Sequence, residues 1–212
     1  MDRLTTLFGL VGSGETFADI GCDHGYLAQM VLKENKFEKV IISDISSKSL
    51  QKAIDLLKPY GDRVTAIVSD GFENFTSLPD EVVIAGMGGE EIVKILSNAK
   101  SLPKRLVLAP QKNTEKVRKF LVIFGYKILK DFTFKDKNKF YDAIVAQEGV
   151  DDYSEDELLF GRDNLNSRPD AFEEKLELER NILLEILDLE TASKVSKEQA
   201  NKRLEKIRKI EK

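Results

Sequence analysis

The stretch Thr16 to Leu27, Thr-Phe-Ala-Asp-Ile-Gly-Cys-Asp-His-Gly-Tyr-Leu, constrains the fold more than any other part of this chain. A short apolar run ends in a glycine-bearing turn and passes at once into a helix-compatible pattern. Strand, tight turn and helix N-terminus, in that order, put bare backbone N–H groups and a positive dipole end at the carboxyl edge of a sheet, where a nucleotide-like ligand can approach closely. Asp19, at the end of the strand, narrows the choice of ligand. A carboxylate there repels a pyrophosphate and suits a cationic group, or one that offers amino and hydroxyl donors.

The rest of the chain repeats this unit. Leu4, Leu7, Phe8 and Val11 recur at helical spacing until Gly12-Ser13-Gly14, so Arg3 to Val11 is read as an amphipathic helix ahead of the first strand, Thr16 to Ile20. A helix carrying Tyr26, Leu27, Met30 and Val31 leads to a strand at Lys39 to Asp44. A helix from Ile45 to Lys58, stopped by Pro59-Tyr60-Gly61, leads to a third strand at Val64 to Val68. Strands at Glu81 to Ala85 and Arg105 to Ala109 alternate with helices at Glu90 to Leu96 and Thr114 to Phe124, with Gly125 as the C-terminal cap. Tyr126 to Phe134 and Phe140 to Gln147 then flank the polar Lys135-Asp136-Lys137-Asn138-Lys139 as a hairpin, which adds one antiparallel strand to a parallel sheet. The expected fold is α/β, a Rossmann-like, doubly wound, seven-stranded sheet. Up to about Val150 the pattern resembles that of the class I S-adenosylmethionine-dependent methyltransferases.

Residues 1–150 therefore form one expected domain and residues 151–212 a second, in which β signals vanish. Asp151 to Asp156 reads as an acidic turn. Phe172, Leu176, Leu183 and Ile186, widened by Leu178, Ile182 and Leu189, predict a long helix from Asp170 to Glu190. Ser196 with Gln199 suggests a capping box for a second helix from about Lys197 that carries Ala200, Leu204, Ile207 and Ile210. Together they make a coiled-coil-like antiparallel α-helical hairpin. Such a pair buries little by itself, so it must lean on the α/β domain, a second copy or a ligand.

Composition removes several function classes. Cys22 and His24 are the only cysteine and histidine among 212 residues, which excludes an internal disulfide, a cysteine-based zinc cluster and a multi-histidine site; no metal is expected. No apolar run approaches a membrane span and Met-Asp-Arg does not open a secretory signal, so a cytoplasmic protein without a membrane partner is expected, a monomer rather than a dimer. The net charge of −4 hides a strong asymmetry. From Ser101 to Val150 eleven basic residues face five acidic ones, a local +6, and from Lys194 onward eight face three, a local +5. Lys112, Lys116, Arg118 and Lys119 beside the fifth strand, and Lys202 and Arg203 on the second hairpin helix, are the candidate phosphate contacts. The bland alternative for the hairpin helix is a solvated face or ion pairing with its acidic neighbour.

Ligands of open α/β sheets sit beyond the carboxyl ends of the strands at the switch point of the topology. There the chain gathers Asp19, Gly21, Asp23 and His24 after the first strand, Asp44 and Ile45 after the second, Asp70 and Gly71 after the third, and Ala85-Gly86-Met87-Gly88-Gly89 after the fourth. Asp44 can accept both ribose hydroxyls, Asp70 an adenine amino group, and Asp19 with Asp23 the ammonium of a methionine moiety. The glycines after the fourth strand leave room for a flat base. Each residue also has a plainer reading: Asp23 as a helix N-cap, His24 as a cap or local hydrogen-bond partner, Cys22 as packing, Gly21 and Gly25 as turn residues. A nicotinamide dehydrogenase shares the general plan, but Asp23 occupies the place of the second glycine in its Gly-x-Gly-x-x-Gly fingerprint.

Ala-Asp-Ile-Gly-x-Asp-His, then Ile-Ala-Gly-Met-Gly-Gly, then Ala109-Pro110-Gln111 and Phe140-Tyr141-Asp142, taken in order, resemble the bacterial tRNA adenine-22 N1-methyltransferase family. The resemblance implies S-adenosylmethionine as cofactor, held by Asp19, Gly21, Asp23, His24, Asp44, Ile45, Asp70, Gly71, Ala85, Gly86 and Met87. It implies methyl transfer to N1 of adenine 22 in the tRNA D-loop, with Met87, Gly88, Gln111 and Asp23 positioning the reactants and no dedicated base. Ala109-Pro110-Gln111 departs from the Gln-Pro-Asn of the family. Two alternatives share the fold: a methyltransferase acting on another RNA base, and a non-catalytic binding module.

Overall fold

Strand order, more than strand number, decides where a ligand can sit. The structure, a computed structural model, describes residues 2–211. Its sheet holds seven strands in the order β3-β2-β1-β4-β5-β7-β6: β1 (Gly14–Ile20), β2 (Phe37–Asp44), β3 (Val64–Val68), β4 (Glu81–Ala85), β5 (Arg105–Ala109), β6 (Tyr126–Asp136) and β7 (Lys139–Glu148). The chain runs outward from β1 through β2 to β3, then returns to β4 on the other side of β1, so the switch point lies between β1 and β4. β7 runs antiparallel to both β5 and β6, as the hairpin pattern predicts.

Buried strands read as continuous apolar runs because both faces are covered. Phe17, Val40, Ile42, Val83 and Val107 point to one face, where α1 (Arg3–Leu10), α2 (Tyr26–Lys33) and α3 (Ser47–Leu57) bury Leu7, Leu27, Val31, Leu50 and Leu57. Ala18, Ile20, Val82, Ile84, Leu106 and Leu108 point to the other, against Ile92, Leu96, Val117 and Leu121 of α4 (Gly89–Asn98) and α5 (Thr114–Ile123). Helices of the two halves thus lie on opposite faces, and the crevice between them opens above β1 and β4.

Beyond β7 the sequence reading needs correction. Asp151 to Asp156 is not only a turn: Ser154 and Glu157 form a capping box that starts α6 (Glu155–Phe160), followed by α7 (Arg162–Ser167). The long helices are α8 (Asp170–Asp188) and α9 (Lys194–Ile210), and α9 is capped by Ser193, whose side chain accepts the Ser196 N–H, not by Ser196. Phe172 and Leu176 of α8 pack with Phe160 and Ile207, whereas Leu178, Ile182 and Leu189 stay about half exposed. The apolar stripe of α8 is wider than the surface it covers.

A buried ion pair of the sheet region, Arg118 with Asp131, sits at its junction with the helices that follow. Arg118, placed by its charge among the candidate phosphate contacts, is 2% exposed. Its guanidinium grips the Asp131 carboxylate of β6 through three hydrogen bonds of 2.8–3.0 Å and also donates to the Leu158 and Leu159 carbonyls of α6. Arg118 cannot reach a phosphate from there. On α7, Asp163 and Asn164 accept the Asp131 and Thr133 N–H groups, which covers part of the open edge of β6. Asp142 of β7 accepts from Lys175 of α8, Thr114 and Thr133. Burial alone pushes the Asp142 carboxyl up, but Lys175 and Arg118 outweigh it and bring it down to about 2. Removing Arg118 leaves Asp131 buried without its cation, so Arg118→Met is expected to cost about 3 kcal/mol or more in urea unfolding. A loss below about 1 kcal/mol would show that the pair does not organise this junction.

Candidate active site

The β1–α2 turn is built from residues that tolerate left-handed backbone. Gly21 has φ of +72° and Asp23 +47°, and the Gly21 and Cys22 N–H groups both donate to the Ser43 carbonyl at 2.8 and 3.0 Å. This ties the end of β1 to the end of β2. Asp44 is held in the same way: its Oδ2 accepts the Asp23 N–H at 3.2 Å and its Oδ1 the Ser46 N–H at 2.8 Å. At the end of β3, Gly71 has φ of +57°, and a Cβ there would lie 2.7 Å from Ile95 Cγ2, so the chain can pass this close to α4 only as glycine.

These strand ends enclose a cavity of about 460 Å3, a size that suits a nucleoside-like ligand. Asp19, Gly21, Asp23, His24, Asp44, Ile45, Asp70, Gly71, Ala85, Gly86, Met87 and Gln111 all line it. Gly88 does not. It is the N-cap of α4 and faces the Lys112 side chain, while a Cβ on Gly89 would lie 2.3 Å from the Asn113 carbonyl oxygen. The space at Gly88 and Gly89 is therefore filled by the β5–α5 loop rather than left for a flat base. Cys22 is buried, as a packing residue should be. Asp23 is not the helix N-cap, which is Gly25; its carboxylate accepts from His24 Nδ1 at 2.7 Å, and the His24 ring stacks on Tyr26.

Asp19 is the buried carboxyl of the site, 6% exposed. Burial pushes it up to about 7, against the pull of the Ala28 N–H and the Arg3 charge, while Asp44 adds to the rise. A buried carboxyl in this state takes up a cation readily, because a cation beside it removes much of the penalty on its charged form. The sequence reading missed Arg3, whose guanidinium reaches the cavity from α1. Its position some sixteen residues before the strand-end motif gives no local signal.

Met87 and Gln111 stand where β4 and β5 end side by side: the Gln111 N–H donates to the Met87 carbonyl at 2.9 Å and the Gly86 N–H to the Ala109 carbonyl at 3.3 Å. Gln111 also lines a second cavity, about 590 Å3, between the β5–α5 loop and α8, with Lys112, Leu178, Ile182 and Arg203. Of the remaining basic candidates, Lys116 pairs with Glu90, Lys202 with Glu198 and Arg203 with Glu179. Arg203 also lies over the Phe160 ring. Lys112 and Lys119 are exposed, and among the described residues neither has an ion pair. Among these residues no helix is long and apolar enough to cross a membrane.

A methyltransferase-domain family model matches residues 1–144 of the chain. The "Putative tRNA methyltransferase" of Mycoplasma pneumoniae is 36% identical over 151 residues, covering 69% of this chain and 70% of the relative. The tRNA (adenine(22)-N(1))-methyltransferase of Bacillus subtilis is 28% identical over 160 residues, covering 73% and 67%. The fold superposes on the Mycoplasma capricolum enzyme solved with S-adenosyl-homocysteine at a TM-score of 0.88, with 27% identity over 99% of this chain and 96% of that one. The chain belongs to the methyltransferase-domain family, with putative tRNA methyltransferases among its relatives.

Proposed function

We propose that this protein is a cytoplasmic enzyme that transfers the methyl group of S-adenosylmethionine to N1 of adenine 22 in the D-loop of tRNA. The observation that carries this reading is the carboxylate-lined cavity at the β1/β4 switch point, joined at Gln111 to a second cavity that reaches the helical region. The donor set fits the cofactor. Asp19 and Asp23 suit an ammonium, Asp44 keeps free lone pairs for ribose hydroxyls, and Asp70 suits an adenine amino group. A dinucleotide fits poorly, since its pyrophosphate would meet Asp19 and Asp23.

When bound, the cofactor supplies an electrophilic methyl group on a sulfonium. N1 of neutral adenine brings its own lone pair, so the protein has no proton to remove and its work is positioning and electrostatics. The base becomes cationic as it is alkylated. The Met87 carbonyl is already engaged by Gln111, which leaves the Gln111 side chain as the acceptor best placed for the N6 amino group. Gln111 is the residue that lines both cavities, and Gly86 and Met87 line the first beside it. On this reading residues 1–150 carry the chemistry and residues 151–212 add contact with the tRNA body, where the half-exposed Leu178 and Ile182 face the second cavity. An adenine must leave its stack to reach the site, and phosphate contacts supply most of the affinity.

Incubation with S-adenosylmethionine and unmodified tRNA is expected to give N1-methyladenosine at position 22, located by nuclease digestion and mass spectrometry. Methylation of another atom or position would overturn the substrate assignment and leave the fold intact. Lys112→Glu combined with Lys119→Glu is expected to weaken tRNA binding and to flatten its salt dependence by about two counterions, with cofactor affinity unchanged. An unaltered salt slope would remove these lysines from the interface.

Asp19 predicts a pH dependence. Its folded value, about 7, stands above the unfolded 3.8, so its contribution favours the ligand-free fold at low pH and is lost as pH rises through about 7. An ammonium beside Asp19 draws it back down, and binding should release a proton. Calorimetry near pH 6.5, in buffers of different ionisation enthalpy, is expected to show proton release of about half an equivalent or more, absent in Asp19→Asn. Equal heats in all buffers would remove Asp19 from contact with the ammonium.

A further inference from the structure

The second cavity, about 590 Å3 between the β5–α5 loop and the helical region, meets the first at Gln111. Much of its polar lining is already engaged. Asp142 accepts from Lys175, Thr114 and Thr133, and Arg203 is held by Glu179, so these groups fix the shape of the cavity and leave little for a ligand. The wall on α8 is apolar and uncovered. Leu178 and Ile182 stand one helical turn apart on the same side of the helix. Both are about half exposed, whereas Phe172 and Leu176 of the same helix are buried. Large apolar side chains that line a concave surface without a packing partner mark a binding site. The opposite wall is polar. Asn113 has φ of +56° and its side chain does not cap α5, and Glu115 lines the cavity beside it. Lys112 belongs to this cavity and not to the first, and its stem lies against Gly88, 3.4 Å from a Cβ built there.

We propose that the second cavity holds a second nucleobase of the tRNA, the neighbour of the methylated adenine, with the phosphate that joins the two nucleotides at Lys112. This rests on the tRNA-methyltransferase reading and goes beyond it by giving the helical region a base to hold. The target adenine must bring N1 to the methyl group, so it fills the mouth of the first cavity and presents N6 to Gln111. Turning that base out of the stack strips its neighbour of one stacking face. An apolar face left in water is unfavourable, and Leu178 with Ile182 can cover it. The order along the protein, Gln111, then Lys112, then the α8 side chains, follows the order base, phosphate, base. Asn113 and Glu115 meet the polar edge of the second base. A carboxylate only accepts hydrogen bonds, so the pair favours a base that offers an amino group.

The test changes each side of the contact in turn. The nucleotide on either side of adenine 22 is replaced by an abasic one, and binding of each tRNA to the unaltered full chain is measured by fluorescence anisotropy with S-adenosylmethionine present. For one of the two neighbours, loss of the base is expected to weaken binding about 10-fold. Leu178→Gln combined with Ile182→Gln keeps helix propensity and removes the apolar wall. This double variant should bind intact tRNA about 10-fold more weakly and no longer distinguish it from the abasic form, with cofactor affinity and the salt slope of tRNA binding unchanged. If neither abasic replacement weakens binding, or if the double variant discriminates as well as the unaltered chain, the second-base pocket is wrong. A double variant that alters the sedimentation of the full chain would assign the apolar face to a second copy and overturn the proposal in that way. Circular dichroism melts separate loss of fold from loss of contact. Fluorescence of 2-aminopurine at the same neighbour needs no variant: it is expected to rise when the unaltered chain binds, as the base leaves its stack, and an unchanged signal would overturn the pocket. If the unaltered chain forms no N1-methyladenosine at position 22 of intact tRNA, the tRNA reading itself falls.

Discussion

Two N–H groups on one carbonyl hold the site together. Gly21 and Cys22 both donate to Ser43, and this shared acceptor sets the end of β1 against the end of β2. Asp19, Asp23 and Asp44 then converge without any side chain having to reach. The arrangement demands positive φ at Gly21 and Asp23, conformations disfavoured for most residues. Glycine and aspartate are the types that accept them, and the Asp23 N–H adds a third bond to Asp44. Burial raises the Asp19 carboxyl, and the Asp44 charge adds to that rise against the pull of the Ala28 N–H and Arg3. A cavity tensioned with negative charge is poorly matched to phosphate and well matched to a sulfonium with an ammonium tail.

The sheet was legible because buried parallel strands leave the plainest sequence signal: Val-Val-Ile-Ala in β4 and Leu-Val-Leu-Ala in β5 are apolar on both faces. The strand-end residues followed from the topology, since a switch point gathers the carboxyl ends of β1, β2, β3 and β4. Burial of charge was not legible. Arg118 adds to a basic count as Lys119 does, yet the helical turn that exposes Lys119 points Arg118 at Asp131, and only the folded register of β6 reveals the partner. Gly88 and Gly89 misled for a related reason. A glycine run reads as open space, whereas here Lys112 and Asn113 of a loop more than twenty residues away occupy it. The capping box at Ser154 was present in the sequence as Ser-x-x-Glu, but the surrounding acidic residues made the segment resemble a turn.

The hairpin shows how local charge overstates an interface. Part of the +5 of the C-terminal stretch is met by acids outside it, Arg203 by Glu179 and Lys209 by Asp156, while Lys202 pairs with Glu198 of the stretch itself. Each is at least partly exposed, so these pairs add little stability, but they reduce the field available to steer a polyanion. Lys112 and Lys119 sit instead on the loop and helix that follow β5. Lys112 lines the second cavity beside Gln111, and Lys119 lies further along α5.

Strand β7 couples the two ends of the molecule. Asp142 takes Lys175 of α8 on one side of the strand's path, and its neighbour Tyr141 lies over Arg3 of α1 at the cofactor cavity. Adjacent residues on a strand point to opposite faces, so the same dipeptide can hold the helical region on one face and the N-terminal helix on the other. Asp142 is satisfied by three side chains and cannot shift without leaving Lys175, Thr114 or Thr133 unpaired. That rigidity passes through the backbone to Tyr141. The helical region therefore matters to the cofactor end of the site even though it lies outside that cavity, because the strand that anchors α8 is the strand that supports Arg3.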